Sequence, residues 1–257
     1  VGGGRVASGF VAIWGEDGGA WVDTGRGRLR ERFDGAVLAA GDRGVLVRRP
    51  GAVAFFRAGQ SSPAWSLELE DGSDELQAIL TEDRVLLRRG DQLRVLRARS
   101  GRPVGDPIPL NGRALLHAAG RTAVVAGPER YQLIDTSTGA AHPPRSGPGA
   151  AVSAVARSRG AAIAFEGGDV FLVGPEGALE ARLLLARAPH QLVAREDFGL
   201  VIAVASDGLH AIADLRGEEA TDVHALLALA RLGSREGRPG EAPATTAART
   251  HEATRRA

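Results

Sequence analysis

The chain has no cysteine, no lysine, few aromatic residues and no long apolar run, and each absence excludes something. Without cysteine there is no disulfide framework, no thiol chemistry and no thiolate-bound zinc. No apolar stretch approaches the ~20 residues of a membrane-spanning helix, so no membrane partner is expected. The 32 basic residues nearly balance the 31 acidic ones, leaving a net charge of +1. That balance argues against wholesale binding to nucleic acid. Every basic residue is arginine, a bias shared with abundant alanine and glycine and explained most simply by a GC-rich genome. Position 1 is Val rather than Met, so a fragment or trimmed product is the expectation.

What is present is a repeat. The stretch YQLIDTSTG (Tyr131 to Gly139) is an apolar run stopping at Asp135, followed by a turn ending in glycine. Asp and Ser bond their own backbone in such turns, and Gly supplies the positive φ. Related stretches are VAFFRAG (Val53 to Gly59), LRVLRARSG (Leu93 to Gly101), VFLVGPEG (Val170 to Gly177) and LHAIADLRG (Leu209 to Gly217), with AWVDTG (Ala20 to Gly25) a weaker copy. Their terminal glycines, Gly25, Gly59, Gly101, Gly139, Gly177 and Gly217, recur every 34 to 42 residues.

Each unit reads as strand, turn, strand, turn, strand, then a looser fourth strand. A hydrophobic content of 44% over 257 residues supports a folded core of this size. The middle strands, such as AAIAF (Ala161 to Phe165) and LVIAVA (Leu200 to Ala205), are continuously apolar, as strands covered on both faces should be. Prolines gather in the fourth segments of units three and four, where an edge strand tolerates them. The predicted fold is all-β: a β-propeller of about six four-stranded blades over residues 1–220. The blades are predicted at about 5–35, 36–75, 76–113, 114–150, 151–189 and 190–220. Thr221, Val223, Leu226, Leu227 and Ala230 then predict an amphipathic helix over 221–233, packed on the ring. Residues 234–257 are predicted to be a disordered tail.

The turn carried by Asp135, Thr138 and Gly139, matched in part by Ser100 and Gly101, resembles the repeat of quinoprotein-like (PQQ-type) β-propellers, and Gly59 followed by Trp65 resembles its turn-to-Trp spacing. WD40-like propellers are a close rival, although no Trp-Asp pair occurs in the chain. The resemblance implies the ring fold over roughly residues 5 to 217. It does not bring the quinone: the quinoprotein dehydrogenases have more blades, calcium with acidic ligands and often a vicinal cysteine pair. No cofactor is expected.

No catalytic motif emerges. The six histidines show no metal-ligand spacing; His117 and His190 fall in first strands, where both could face the axis. GGGRVASG lacks the strand and helix of a nucleotide loop, and GSREG lacks the order of a nucleophile elbow. No catalytic, cofactor or metal residue is therefore predicted. Charge gives one clue. The turns between second and third strands carry Arg48, Arg49, Arg88 and Arg89 in units two and three. The corresponding turns carry Glu166, Asp169, Asp207, Glu16 and Asp17 elsewhere. The plain reading is a mixed, solvated surface; the functional reading is a docking face, with those four arginines as partner-binding residues. Arg26, Arg28, Arg30 and Arg32 read as one face of an edge-protecting strand. The expected function is a non-enzymatic scaffold, a monomeric ring that binds a protein partner. The alternative is an enzyme or small-ligand binder using an axial pocket.

Overall fold

The computed structural model describes residues 3–7, 9–69, 76–110, 112, 114–195 and 199–213. The chain divides into a compact unit over Val1–Asp214 and a second over Leu215–Ala257. The predicted helix and tail fall in the second unit, outside the described residues.

Among the described residues, twenty-four antiparallel strands build six sheets in chain order. Blade 1 holds β1 (Gly3–Ala7), β2 (Phe10–Trp14), β3 (Gly18–Asp23) and β4 (Arg28–Asp34). Blade 2 holds β5 (Ala36–Gly41), β6 (Gly44–Arg49), β7 (Ala52–Arg57) and β8 (Trp65–Glu68). Blade 3 holds β9 (Leu76–Leu80), β10 (Arg84–Arg89), β11 (Gln92–Arg97) and β12 (Ile108–Pro109). Blade 4 holds β13 (Leu115–Ala119), β14 (Thr122–Ala126), β15 (Arg130–Asp135), and the short β16 (Ala140–Ala141) and β17 (Arg145–Ser146), which both pair with β15. Blade 5 holds β18 (Ala151–Arg157), β19 (Gly160–Phe165), β20 (Asp169–Val173) and β21 (Leu179–Leu184). Blade 6 shows three strands among the described residues, β22 (Gln191–Arg195), β23 (Leu200–Ala205) and β24 (Gly208–Ala213). This is an all-β propeller.

The core lies between blades, not within them. A sheet has two faces, and the continuous apolar runs put hydrophobic side chains on both. Ala12, Trp21 and Phe33 of blade 1 meet Val45, Val47 and Phe56 of blade 2. Similar clusters join blades 2 and 3, 3 and 4, 4 and 5, and 5 and 6. Each fully buried Leu, Ile or Phe contributes ~1.5–3 kcal/mol, so these five interfaces carry the fold. Central strands show the consequence: β14 and β19 are buried at every position.

At Gly59, Gly101 and Gly139 the repeated turn brings adjacent blades into contact at one rim. The Asp135 carboxylate accepts the Ser137 amide at 2.8 Å, the Gly139 amide bonds the Asp135 carbonyl at 2.8 Å, and Gly139 has φ 73°. Partial burial alone would raise the Asp135 carboxyl, but hydrogen bonds from Ser137 and the Arg121 charge outweigh it and hold the group below its ordinary value. At Gly59, Gly101 and Gly139, φ lies between 67° and 76°, and a Cβ would meet Phe10, the Trp65 ring and the Val104 carbonyl respectively. In each case the neighbour belongs to the preceding blade.

The first copy of the repeat is displaced by two residues. Its left-handed residue is Gly27 (φ 61°) rather than Gly25, because the Gly27 amide reaches the Asp23 carbonyl as Gly139 reaches Asp135. The arginines of β4 also do not share one face. A bulge between the pairs Trp21–Glu31 and Val22–Leu29 shifts the alternation, so Arg28 and Arg32 occupy opposite faces.

Inner strands are tied by side chains. The Ala156 amide donates to His117 Nδ1 at 3.1 Å, and the Leu192 amide donates to Ser153 Oγ at 2.9 Å, both across a blade boundary. Burial holds the His117 imidazole below its ordinary value. A depressed imidazole binds fewer protons folded than unfolded, so its contribution is complete above the unfolded value, near 6.5, and is lost as pH falls. Protonation would also remove the acceptor for Ala156. We expect wild-type stability to drop between pH 7.5 and 5.5 more than that of His117→Gln, measured by urea midpoints; parallel pH profiles would contradict this.

Candidate functional site

The four arginines expected on the rim of the second-to-third-strand turns are not a cluster of free cations. Arg88 is buried, with 7% of its surface exposed. Its guanidinium donates to the carbonyls of Gly90 at 3.0 Å, Ala114 at 3.0 Å and Gly112 at 3.2 Å. Leu86, two residues earlier on the same face of β10, packs in the core between blades 3 and 4, so Arg88 points into that boundary. Arg49 lies over the Phe56 ring at 4.8 Å and donates to the Asp34 carbonyl at 3.2 Å. Arg48 and Arg89 are half-buried. On the acidic side Asp169 is also turned in, bonded to Arg182 Nε at 2.5 Å, and Asp207 pairs with His210 at 3.0 Å. Glu166 stays exposed. A residue at a strand end can point inward or outward, and the charge pattern alone does not say which.

The opposite rim, built by the first-to-second and third-to-fourth turns, holds a cleft of about 400 Å³ between blades 2 and 3. It is lined by Arg43, Phe55, Arg57, Ala58, Ala98 and Arg99. Arg43 sits in the tight turn after β5, Arg57 ends β7, and Arg99 lies in the turn after β11, so three chain segments bring three guanidinium groups together. The floor is apolar and fixed. Phe55 is buried and stacks on Trp65 at 5.7 Å, and Trp65 Nε1 donates to the Ala98 carbonyl at 2.8 Å.

The arginines differ in their engagement. Arg43 pairs with Glu82 at 3.5 Å and Asp83 at 3.2 Å, all three side chains being well exposed. Arg57 donates to the Arg99 carbonyl at 3.4 Å, and neither Arg57 nor Arg99 has a carboxylate partner among the described residues. Exposed Arg43 pairs are weak and exchangeable, ~0–1 kcal/mol. An incoming carboxylate would therefore find two guanidinium groups without a carboxylate partner among the described residues and a third readily released. Guanidinium forks bind carboxylates in two-pronged geometry, and the Phe55–Ala58–Ala98 floor suits an aliphatic stem. The sequence signal for this site was thin: Arg43, Arg57 and Arg99 are separated by 14 and 42 residues, and only the blade-to-blade contact joins them.

At the inner strands, His117 and Ser153 are engaged with backbone amides, and His190 is exposed. Among the described residues no three His, Asp or Glu side chains converge as a metal site.

No protein-family model and no curated protein sequence matches the chain. Solved structures match its fold. BamB from Moraxella catarrhalis superposes with a TM-score of 0.56 at 14% identity, over 81% of this chain and 70% of that one. The computationally designed Ika8 protein gives 0.63 at 15% identity, over 82% and 70%. The C-terminal WD40 domain of Sif2 gives 0.61 at 11% identity, over 83% and 69%. The architecture is thus shared with both PQQ-like and WD40 propellers, and at these identities the likeness is one of fold.

Proposed function

We propose that this propeller is a non-enzymatic scaffold that holds a protein partner, and that the partner presents an acidic segment to the cleft of Arg43, Arg57 and Arg99. The observation that carries the reading is the pairing of guanidinium groups that have no carboxylate partner among the described residues with a rigid apolar floor at the seam of two blades. Cationic rims steer acidic partners and fix their register, and the contribution weakens as salt shortens the Debye length from ~10 Å at 0.1 M. The tied-down polar groups of the inner strands support the non-enzymatic part.

The test uses the full chain and a panel of fluorescent peptides, acidic-aliphatic against basic and scrambled. Acidic peptides are expected to bind best, with weaker binding at high salt. Arg57→Glu combined with Arg99→Glu should weaken them by about tenfold or more with unchanged melting. Arg48→Glu with Arg89→Glu, on the opposite rim, should change binding little. Salt-independent binding that survives reversal of Arg57 and Arg99 would remove the cleft from the account.

A further inference from the structure

The outer strand of each blade is an edge, and an edge offers unpaired backbone N–H and C=O groups to any extended chain unless something blunts it. Blades 1 to 4 blunt theirs. Five of the seven residues of β4 are charged. β8 is four residues long, and its Trp65 turns in to stack on Phe55. β12 is two residues long and includes Pro109. β16 and β17, two residues each, are separated by Pro143 and Pro144. β21 of blade 5 has none of these devices. It runs for six residues as LEARLL, contains no proline, and its one arginine is bonded to Asp169.

The backbone and side chains of this edge are both oriented for an added strand. The Leu185 amide donates to the Gly168 carbonyl at 2.9 Å. Residues of an antiparallel pair alternate between bonding the neighbour and facing away from it. Ala181 and Leu183 therefore bond β20, while Arg182 and Leu184 turn their N–H and C=O groups outward. Side chains alternate too: Ala181 and Leu183 pack into the core with blade 6. Leu179 and Leu184, opposite Val173 and Asp169, lie on the side that carries Phe171 and faces blade 4. There Leu179 is 49% and Leu184 73% exposed, because blade 4 meets them only with the short β16 and β17. Both blades are internal to the ring and described without a gap from Ala114 to Arg195. Across the gap, Arg145 of β17 stands opposite Tyr131 in the ladder and so faces blade 5. Its Cγ lies 4.0 Å from a Cβ built on Gly177, just before β21. Arg145 is exposed and has no ion-pair partner among the described residues.

We propose that the free edge of β21 takes an extended strand of a partner protein, with apolar side chains on the side of Leu179 and Leu184 and a carboxylate where it passes Arg145. The main-chain bonds to Arg182 and Leu184 would supply affinity. The exposed leucines and the Arg145 charge would select the side chains, as in other cases of strand addition to a sheet edge. The added strand would complete the cover that the outer edge of blade 4 leaves short. The cleft of Arg43, Arg57 and Arg99 lies between blades 2 and 3 and is independent of this edge.

Fluorescence anisotropy tests this with a short fluorescein-labelled peptide of alternating Val and Thr, with Glu at each end. The full chain carries Arg57→Glu and Arg99→Glu, so that the cleft does not capture the peptide. Binding is expected within about 1–100 µM, a range that detects micromolar association. The peptide is then N-methylated at every Val amide or at every Thr amide. In an added strand only alternate amides face β21, so one pattern should weaken binding by about tenfold or more and the other should not. On the protein, Leu184→Pro removes an outward N–H without touching the ladder to β20, so melting should change little while binding falls about tenfold or more. Leu184→Thr keeps that N–H and should weaken binding less. Arg145→Glu should weaken binding about threefold or more, and less for a peptide ending in Gln. No binding over the whole range would overturn the proposal. So would equal effects of the two methylation patterns, full binding by Leu184→Pro, or self-association through β21 that excludes the peptide.

Discussion

Gly139→Val is expected to destabilise the propeller by about 4 kcal/mol or more. Two effects combine. The residue sits at φ 73°, where a Cβ clashes with its own backbone at ~1–2 kcal/mol. The Cβ would also fall on the Val104 carbonyl and within 3.0 Å of the Gly105 amide nitrogen, backbone atoms of blade 3 that cannot swing aside. The turn would have to separate from the preceding blade, opening the boundary that buries Leu93, Val95 and Ile134. Gly51→Val is the matched control. Its φ is 68°, almost the same, but nothing lies within 4 Å of the added Cβ, so only the backbone cost of ~1–2 kcal/mol should appear. Urea unfolding measures both. Equal, small losses at Gly139 and Gly51 would mean that the blade contact at the turn carries little.

Arg88→Ala is the second large effect, about 3–5 kcal/mol. Removing the side chain leaves three carbonyls, those of Gly90, Gly112 and Ala114, without a charged donor at the edge of the core between blades 3 and 4. Arg88→Met keeps the apolar stem but not the donors, and should recover only part of the loss. Arg89→Ala, one residue on and half-buried, should cost well under half as much. If Arg88→Ala melted with the wild type, its three hydrogen bonds would be incidental to the fold.

Much of this architecture was legible in the chain because the turn chemistry is local. Asp135, Ser137 and Gly139 bond one another within a few residues, so the motif announces itself wherever it recurs. The same local reading failed at blade 1, where two glycines compete and only the hydrogen bond from Gly27 to Asp23 decides between them. Continuous apolar strands also announced two-sided cover, and blades 2 to 5 provide it. The surroundings of the rim arginines were harder. Arg88 looks like its neighbour Arg89 in sequence, but strand alternation sends one into a blade boundary, and no nearby signal distinguishes a guanidinium that bonds carbonyls from one that meets solvent. The cleft was less legible still, since Arg57 and Arg99 become neighbours only when blade 2 rests on the turn of blade 3.

Native-state hydrogen exchange read by mass spectrometry bears most directly on the claim that each blade is stabilised by the blades on either side. At low micromolar concentration, peptides covering 44–49, 84–89, 122–126 and 160–165 should be the slowest to exchange, because these central strands are shielded on both faces. Peptides covering 10–14 and 200–205 should exchange about tenfold or more faster, since the described residues shield them on one face. Uniform protection across all six central strands, or early exchange in 122–126 and 160–165, would contradict the account.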